Sequence, residues 1–205
     1  MLPVITIARQ FGSGGHEVGE KVAKKLGLPF FDKELIAMAA KKSGLSEEVF
    51  ADADEKATSS LLYSMVMGSY AFGARVPSIN EMPINDKLFI IQSDIIKKAA
   101  AEGPCVIIGR CADYILREHE NCLNVFVHAD KAARIKRIVG LGHCEEKKAP
   151  DFVTKKDKQR ANYYNFYSNN RWDDLLNYDL TIDTSRFSVD MAVDLIIDAA
   201  KKLDV

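Results

Sequence analysis

The sequence predicts an α/β fold in which a five-stranded parallel sheet is flanked by helices. Short apolar runs alternate with segments of helical periodicity along the 205-residue chain, and this alternation is typical of parallel sheets covered on both faces. The first apolar run is followed at once by Gly12-Ser13-Gly14-Gly15. Ligands of such sheets bind at the carboxyl ends of the strands, so the residues that follow each strand are the first candidates for a site.

Short apolar runs, several of them β-branched, predict the strands, because strands buried on both faces need no polar alternation. These runs are residues 4–8, 28–31, 105–109, 123–127 and 178–182. The first helix carries apolar residues at helical spacing from 18 to 26 and ends at Gly27. Helical patterns elsewhere cover residues 33–42, 86–101, 111–118, 130–139, 151–168 and 188–203.

The chain is expected to form a single domain, residues 1–205, whose core is interrupted twice. Periodicity is lost between 46 and 85, where an acidic stretch and scattered prolines predict an inserted lobe. A second insertion, residues 131–169, contains ten of the 28 Lys and Arg residues of the chain. The core is then made of residues 1–45, 86–130 and 170–205.

The composition of the chain limits the cellular location and the partners that we expect for the protein. Four cysteines in 205 residues do not make a disulfide framework, so we expect a reduced, cytoplasmic location. No apolar run approaches the ~20 residues of a membrane helix, so no membrane partner is expected. The sequence carries no indication of an oligomeric state.

The charge of the chain is unevenly distributed. Residues 131–160, called the basic segment, contain ten Lys or Arg and four acids, a charge of +6 within a chain whose net charge is −1. A local basic segment on a nearly neutral protein favours a small anion such as phosphate over a long nucleic acid. A solvated helix surface would carry the same charges without binding anything.

The glycine-rich turn predicts a phosphate cradle, because glycines let backbone N–H groups curl around an anion at a helix N-terminus. A tight connection that needs positive φ would use glycine in the same way. The turn departs from the standard phosphate loop: an ungapped match places Gly15 at the lysine position. Shifted by one residue, the match places His16 at the lysine position and Glu17 at the Ser/Thr position. Arg9, His16 or an arginine of the basic segment could supply the missing cation.

Five blocks occur in the order and spacing of a known family: 5–15 (ITIARQFGSGG), 29–35 (PFFDKEL), 108–113 (IGRCAD), 134–137 (RIKR) and 157–164 (DKQRANYY). Together they resemble the cytidylate kinase-like proteins, within the nucleoside-monophosphate kinase group of P-loop NTPases. The resemblance covers nearly the whole chain. It implies an ATP site at the glycine turn, an acceptor lobe at 46–85 and a basic helical lid at 131–169.

The candidate site residues form three sets. Donor phosphates are expected at the glycine turn, on Arg9, Gly12, Ser13, Gly14, Gly15 and His16. The resemblance implies that the acceptor is bound by Asp32, Arg110 and Asp157. It also implies that the transferring phosphoryl group meets Arg134, Arg137 and Arg160, the arginines of the lid. Planar guanidinium groups suit this task because they grip phosphate oxygens bidentately.

Each of these side chains also has a plainer interpretation. Arg110 follows an apolar strand, where an arginine usually has an anionic partner, and that partner could be a structural carboxylate. Asp32 could cap the helix that begins near Lys33. At helical spacing, Arg134 with Arg137, and Asp157 with Arg160, could lie on exposed helix surfaces.

The function implied by the resemblance is transfer of the γ-phosphoryl group of ATP to a nucleoside monophosphate, with CMP or dCMP as the acceptor. Mg²⁺ is expected to arrive on the ATP phosphates, without a dedicated protein metal site. Two alternatives remain: a non-catalytic nucleotide-binding regulatory protein, and a kinase of a different small acceptor. In each case the expected partners are small molecules, principally nucleotides.

Overall fold

A five-stranded parallel sheet forms the centre of the fold. The computed structural model describes residues 2–32 and 84–203. The strands are β1 (Val4–Arg9), β2 (Phe30–Phe31), β3 (Val106–Ile108), β4 (Cys122–His128) and β5 (Leu180–Asp183). They lie in the order β2-β3-β1-β4-β5 and every pair is parallel. The predicted α/β class and the five strands are therefore confirmed.

Helices flank the sheet at the expected places in the chain. Those of the described residues are α1 (Gly15–Leu26), α2 (Ile84–Glu102), α3 (Ala112–Ile115), α4 (Lys131–Gly140), α5 (Ala149–Ser168) and α6 (Val189–Lys201). Two short 3₁₀ turns, Glu146–Lys148 and Leu175–Asn177, precede α5 and β5. The helix predicted at 33–42 lies outside the described residues, as does nearly all of the lobe predicted at 46–85.

Several elements are shorter than predicted, and for two of them the hydrogen bonds show why. β2 begins at Phe30 rather than at residue 28, because the Leu28 N–H closes the end of α1 on the Ala23 carbonyl, 2.9 Å away. The helix predicted at 111–118 spans only Ala112–Ile115. Beyond it the Arg117 and His119 amides bond to carbonyls three residues back, which makes turns rather than α-helix.

Both faces of the sheet are buried. Ile5 and Ile7 of β1 lie in the apolar cluster that α1 and α6 cover, whereas Val4 and Ala8 lie in the cluster on the opposite face. This explains why the strand sequences are continuously apolar. Because β1 has neighbours on both sides, its register fixes the ends of β3 and β4 beside its own carboxyl end.

The strand order opens a crevice at the end of β1. The chain moves from β1 towards β2 and β3 on one side, and β4 and β5 then occupy the other side. Connections that leave neighbouring strands in opposite directions create the usual ligand crevice of open α/β sheets. The glycine turn, residues 11–15, begins at this point.

No helix in the described parts of the chain is both long and apolar enough to cross a membrane.

Removal of the Ser188 cap is expected to destabilise the fold. The Ser188 side chain accepts a hydrogen bond from the Met191 N–H at the start of α6, 3.2 Å away. Ser188→Ala should lower the unfolding free energy by about 1 kcal/mol, measured by urea denaturation. Ser188→Asp, which keeps the acceptor, is the control and should stay close to the wild type. Equal stability of the alanine variant and the wild type would contradict the capping role.

Candidate phosphate-binding site

The glycine turn adopts the backbone geometry of an anion cradle. Gly12 and Gly14 have φ of 80° and 81°, in the left-handed region that favours glycine. Ser13, between them, is fully buried and donates its hydroxyl to the Gln10 carbonyl at 2.9 Å. α1 starts at Gly15, directly after Gly14. The turn therefore brings the positive end of a helix to the crevice beside β1.

A cavity of about 380 Å³, called the turn pocket, lies over this turn. One wall is formed by the turn itself and by Arg9 at the end of β1. The facing wall comes from α4 and α5, which contribute Arg137 and Arg160. The structure thus brings two of the three predicted lid arginines to the predicted phosphate cradle.

Arg137 lies directly against the turn. A Cβ atom placed on Gly14 would lie 1.6 Å from Arg137 Nη1, so the guanidinium covers this glycine closely. Nη1 is buried, and within the described residues it has no hydrogen-bond partner. A buried donor without a partner is unfavourable, and a phosphate oxygen in the turn pocket would satisfy it. Among the cations considered for the missing lysine, Arg137 is the one found over Gly14.

His16 is directed elsewhere. Its Nε2 lies 3.2 Å from Asp32 Oδ2, and its ring packs edge-on against Phe30. His16 lines the rim of the turn pocket while it pairs with Asp32 at the end of β2. The two residues were predicted to bind donor and acceptor respectively, and the structure brings them together as one pair.

A second, smaller cavity of about 50 Å³, called the strand-end cavity, lies at the ends of β1 and β3. Its lining includes Arg9, Arg110, Asp113, Arg160 and Tyr163. Arg9 reaches across the sheet to it: a Cβ on Gly109 would lie 2.0 Å from Arg9 Nη1. Arg9 and Arg160 line both cavities, so they lie between the turn pocket and the strand-end cavity.

Arg110 is held by unusual backbone geometry. Gly109, Arg110 and Cys111 have φ of 68°, 59° and 55°, three successive residues in the left-handed region. Such a conformation costs a non-glycine residue on the order of 1–3 kcal/mol, and it persists where surrounding contacts demand it. The bend turns Arg110 over the Tyr163 ring, 5.7 Å from its centroid. The predicted acceptor residue Arg110 thus reaches the strand-end cavity.

Asp113 also lines the strand-end cavity, and sequence reasoning assigned it no role. It is 8% exposed, and its carboxylate accepts a hydrogen bond from the Tyr164 hydroxyl at 2.6 Å. Burial raises the pKa of this carboxyl to about 6, while the Tyr164 hydrogen bond opposes the shift. The only sequence signal was its place in the block 108–113, since burial of a single acid leaves no periodic pattern.

Arg134 and Asp157 pair with each other and bind the main chain of Phe11. Arg134 Nη1 donates to the Phe11 carbonyl at 3.2 Å and pairs with Asp157, whose Oδ1 accepts the Phe11 N–H at 2.8 Å. Arg134 is buried, and its Nε donates to the Ala129 carbonyl at 3.0 Å. Neither residue lines the turn pocket or the strand-end cavity. Their predicted contacts with substrate stay predictions.

Arg160 combines a place in both cavities with contacts to β1 and the turn. Its Nη1 donates to the Arg9 carbonyl at 3.0 Å, and its guanidinium lies 5.4 Å from the centroid of the Phe11 ring. An arginine anchored in this way presents a fixed rather than a swinging charge. The structure therefore supports Arg137 at the cradle and Arg160 between the two cavities.

A side chain at Gly14 is expected to abolish phosphate binding. Gly14→Ala would drive its Cβ into the Arg137 guanidinium, so binding of inorganic tripolyphosphate, measured by calorimetry, should be lost. Gly27→Ala is the matched control, because Gly27 flanks the other end of α1 with a φ of 67° and open space around it. Both variants place an alanine at a positive φ. Unchanged affinity in Gly14→Ala would remove the turn from the site.

Asp113 is expected to make the stability of the protein depend on pH. The folded protein holds the Asp113 proton up to about pH 6, whereas the unfolded chain releases it near its ordinary pKa of 3.8. The unfolding free energy should therefore fall as the pH rises through this window and stay level above it. Asp113→Asn should flatten this part of the profile, measured by urea denaturation from pH 4 to 8. An unaltered slope would contradict the raised pKa.

Several solved structures share this fold. A crystal structure of an uncharacterized protein from Eubacterium ventriosum matches with a TM-score of 0.74 and 29% identity, covering 98% of this chain and 99% of that one. Shikimate kinase from Bacteroides thetaiotaomicron matches at 0.54 and 14% identity, covering 98% and 99%. A gluconokinase from Sinorhizobium meliloti matches at 0.52 and 15% identity, covering 97% and 94%. These two kinases are similar in fold alone.

The family assignment comes from the sequence. A search among curated proteins found no match. The model of the cytidylate kinase-like family, in contrast, matches residues 4–186, which include β1, the glycine turn, both cavities and all of α4 and α5. The expected family is confirmed: the chain belongs to the cytidylate kinase-like family.

Proposed function

We propose that this protein transfers the γ-phosphoryl group of ATP to a nucleoside monophosphate, with CMP or dCMP as the acceptor. Family membership supports phosphoryl transfer in general, and the family description supports the cytidine acceptor. One observation carries the proposal: Arg9 and Arg160 line both the turn pocket and the strand-end cavity. A group passing between the two cavities would meet both guanidinium groups.

The turn pocket is the proposed donor site. The glycine turn and the N-terminus of α1 would hold the donor phosphates, and the buried Nη1 of Arg137 would donate to one of their oxygens. Bound ATP would supply the phosphoryl group, and Mg²⁺ bound with it would neutralise part of the phosphate charge. The residues present fit this group, because Gly12 and Gly14 have the positive φ of an anion cradle and the orphaned Nη1 of Arg137 lies over it.

Magnesium would be held mainly by the donor phosphates. Within residues 2–32 and 84–203 no group of three or more His, Cys, Asp or Glu side chains is placed to bind a metal ion. Glu17 stands at the position of the usual hydroxyl, and its carboxylate pairs with Lys21 at 3.0 Å. Phosphate oxygens can supply the hard oxygen ligands that Mg²⁺ prefers.

The strand-end cavity is the proposed site of the acceptor phosphate. Three arginines, Arg9, Arg110 and Arg160, line it together with a single carboxylate, Asp113. This excess of positive charge suits the dianionic phosphate of a nucleoside monophosphate better than a neutral polyol or a single carboxylate. A cavity of about 50 Å³ suits only a small group, so the nucleoside would extend out of it.

The proposed role of the chain in the transfer step is alignment and charge neutralisation. Phosphoryl transfer needs little reactive chemistry from the protein, because the acceptor phosphate is already ionised. Arg160 donates a hydrogen bond to the Arg9 carbonyl. Its guanidinium would therefore stay beside the phosphoryl group while that group leaves the donor. A preorganised guanidinium stabilises this charge without reorganising at the moment of reaction.

A specific observation favours a second candidate, a kinase that acts on a hydroxyl group. His16 and Asp32 form a carboxylate–imidazole pair with 3.2 Å between Nε2 and Oδ2, at the rim of the turn pocket. Such a pair is suited to taking a proton from an alcohol. An acceptor that is already ionised has no need for it.

Acceptor specificity is tested with a coupled assay of ADP release in the presence of Mg²⁺ and ATP. CMP and dCMP should be turned over faster than UMP and AMP, while shikimate and gluconate should give no signal above background. Turnover of a hydroxyl acceptor that is lost in His16→Ala would favour the second candidate. If no acceptor is phosphorylated, the kinase proposal is wrong and the non-catalytic nucleotide-binding alternative takes its place.

The same assay tests Arg160. Arg160→Ala should lower kcat at least ~10²-fold, since one transition-state contact is typically worth roughly 2.7–4 kcal/mol. Lys158→Ala is the matched control, because Lys158 is an exposed cation on the same helix and lines neither cavity. Equal losses in the two variants would mean that only the general charge of α5 matters.

A further inference from the structure

Phe11 stands out in the glycine turn because α4 and α5 bind both of its main-chain groups. Its N–H donates to Asp157 Oδ1 at 2.8 Å, and its carbonyl accepts from Arg134 Nη1 at 3.2 Å. The two side chains also pair with each other. A single ion pair, one member on each helix, thus holds the peptide groups on either side of Phe11.

The Phe11 ring packs against the same two helices. It meets the Phe152 ring edge-on, with 5.4 Å between centroids, and lies 5.4 Å from the Arg160 guanidinium carbon. It also packs against an apolar cluster built by Ile138, Ala149 and Val153, all three fully buried. Both the backbone and the side chain of Phe11 therefore join the turn to α4 and α5.

The next residue of the turn shows how close this approach is. A Cβ on Gly12 would lie 2.9 Å from Ile138 Cγ2 and 3.0 Å from the Arg134 carbonyl oxygen. α4 therefore touches the turn through its backbone as well as its side chains. Arg137, on the same helix, is thereby placed over Gly14.

This contact bears on the missing lysine. A lysine within a phosphate loop is held near the phosphates by the chain itself. In this protein the cation over the turn comes from α4, which is remote in sequence from Gly14. Its position depends entirely on how firmly α4 is docked on the turn, and errors of about 1 Å are enough to weaken a phosphate site.

We propose that Phe11 is a positioning residue that fixes α4 and α5 on the glycine turn and so places the Arg137 guanidinium at the turn pocket. Phe11, Arg134 and Asp157 together form the contact between the turn and the two helices, and these three residues are called the joint. The proposal rests on the proposed function, because it takes the turn pocket to be the donor phosphate site. It assigns Arg134 and Asp157 to holding the turn rather than to touching substrate.

A double-mutant cycle tests the proposal, with inorganic tripolyphosphate as the probe and calorimetry as the readout. Arg137→Ala should weaken binding at least about tenfold, as the loss of a charge-assisted hydrogen bond requires. Phe11→Ala should weaken it to a similar extent. Because Phe11 acts through Arg137, the double variant should be no more than about twofold weaker than Arg137→Ala alone.

If the fold-losses in affinity of the two single variants multiply in the double variant, the two residues act independently, because independent effects add in free energy. That result would overturn the proposal. Unchanged binding in Phe11→Ala would overturn it as well. Val193→Ala is the control for general destabilisation: Val193, on α6, is fully buried in the apolar cluster between this helix and the sheet, away from the joint. This variant should lose thermal stability and keep its affinity for tripolyphosphate.

Asp157→Asn provides a second route if Phe11→Ala does not fold. The amide oxygen can still accept the Phe11 N–H, but the charge that holds Arg134 is gone. Binding should weaken, again without further loss when combined with Arg137→Ala. A wild-type protein that does not bind tripolyphosphate contradicts the donor pocket and removes the proposal with it. If the wild type binds tripolyphosphate but the free-energy losses are additive in both double-mutant cycles, the donor pocket stands and only the positioning role of the joint is wrong.

Discussion

The contact between the glycine turn and the helices α4 and α5 is the constraint on which the rest of the site depends. One ion pair, Arg134 with Asp157, binds the N–H and the carbonyl of Phe11. Breaking a largely buried pair leaves an uncompensated charge, so its two members and the turn are stable only together. The docked helices bring Arg137 over Gly14 and Arg160 beside the Arg9 carbonyl. The turn pocket exists because these surfaces face each other.

The parallel sheet brings positively charged side chains together at the carboxyl ends of its strands. Arg9 ends β1 and Arg110 lies just beyond β3, and these neighbouring strands have their carboxyl ends aligned by their register. The left-handed bend at Arg110 and Cys111 shows that the surroundings hold this edge in an unfavourable conformation. Several guanidinium groups in a small concave space repel one another, and an anionic phosphate relieves this repulsion. The charge and the small size of the strand-end cavity therefore both favour an anionic phosphate group.

Arginine and lysine play different parts in the basic segment. Most of its lysines are exposed, which is the solvated surface that charge counting alone allows. Its three arginines turn inward: Arg134 is buried, and Arg137 and Arg160 are partly buried at the cavities. The flat, weakly hydrated guanidinium can be buried and can bond in several directions at once, whereas an ammonium group keeps its water. Of the two interpretations that the sequence allowed for this segment, the solvated helix surface therefore describes the lysines. The binding of a small anion concerns the arginines.

The sequence by itself determined the sheet, the glycine turn and the strand-end positions of Arg9 and Arg110. These follow from local causes: apolar runs that must be buried, glycines that tolerate positive φ, and the edge at which parallel strands end. Only the tertiary structure decided that Arg137 covers Gly14, that Arg134 and Asp157 bind Phe11, and that Asp113 is buried. Each of these depends on how α4, α5 and the short helix α3 pack against elements remote in sequence, and helical spacing identifies the face that a residue shares but not the surface that covers it.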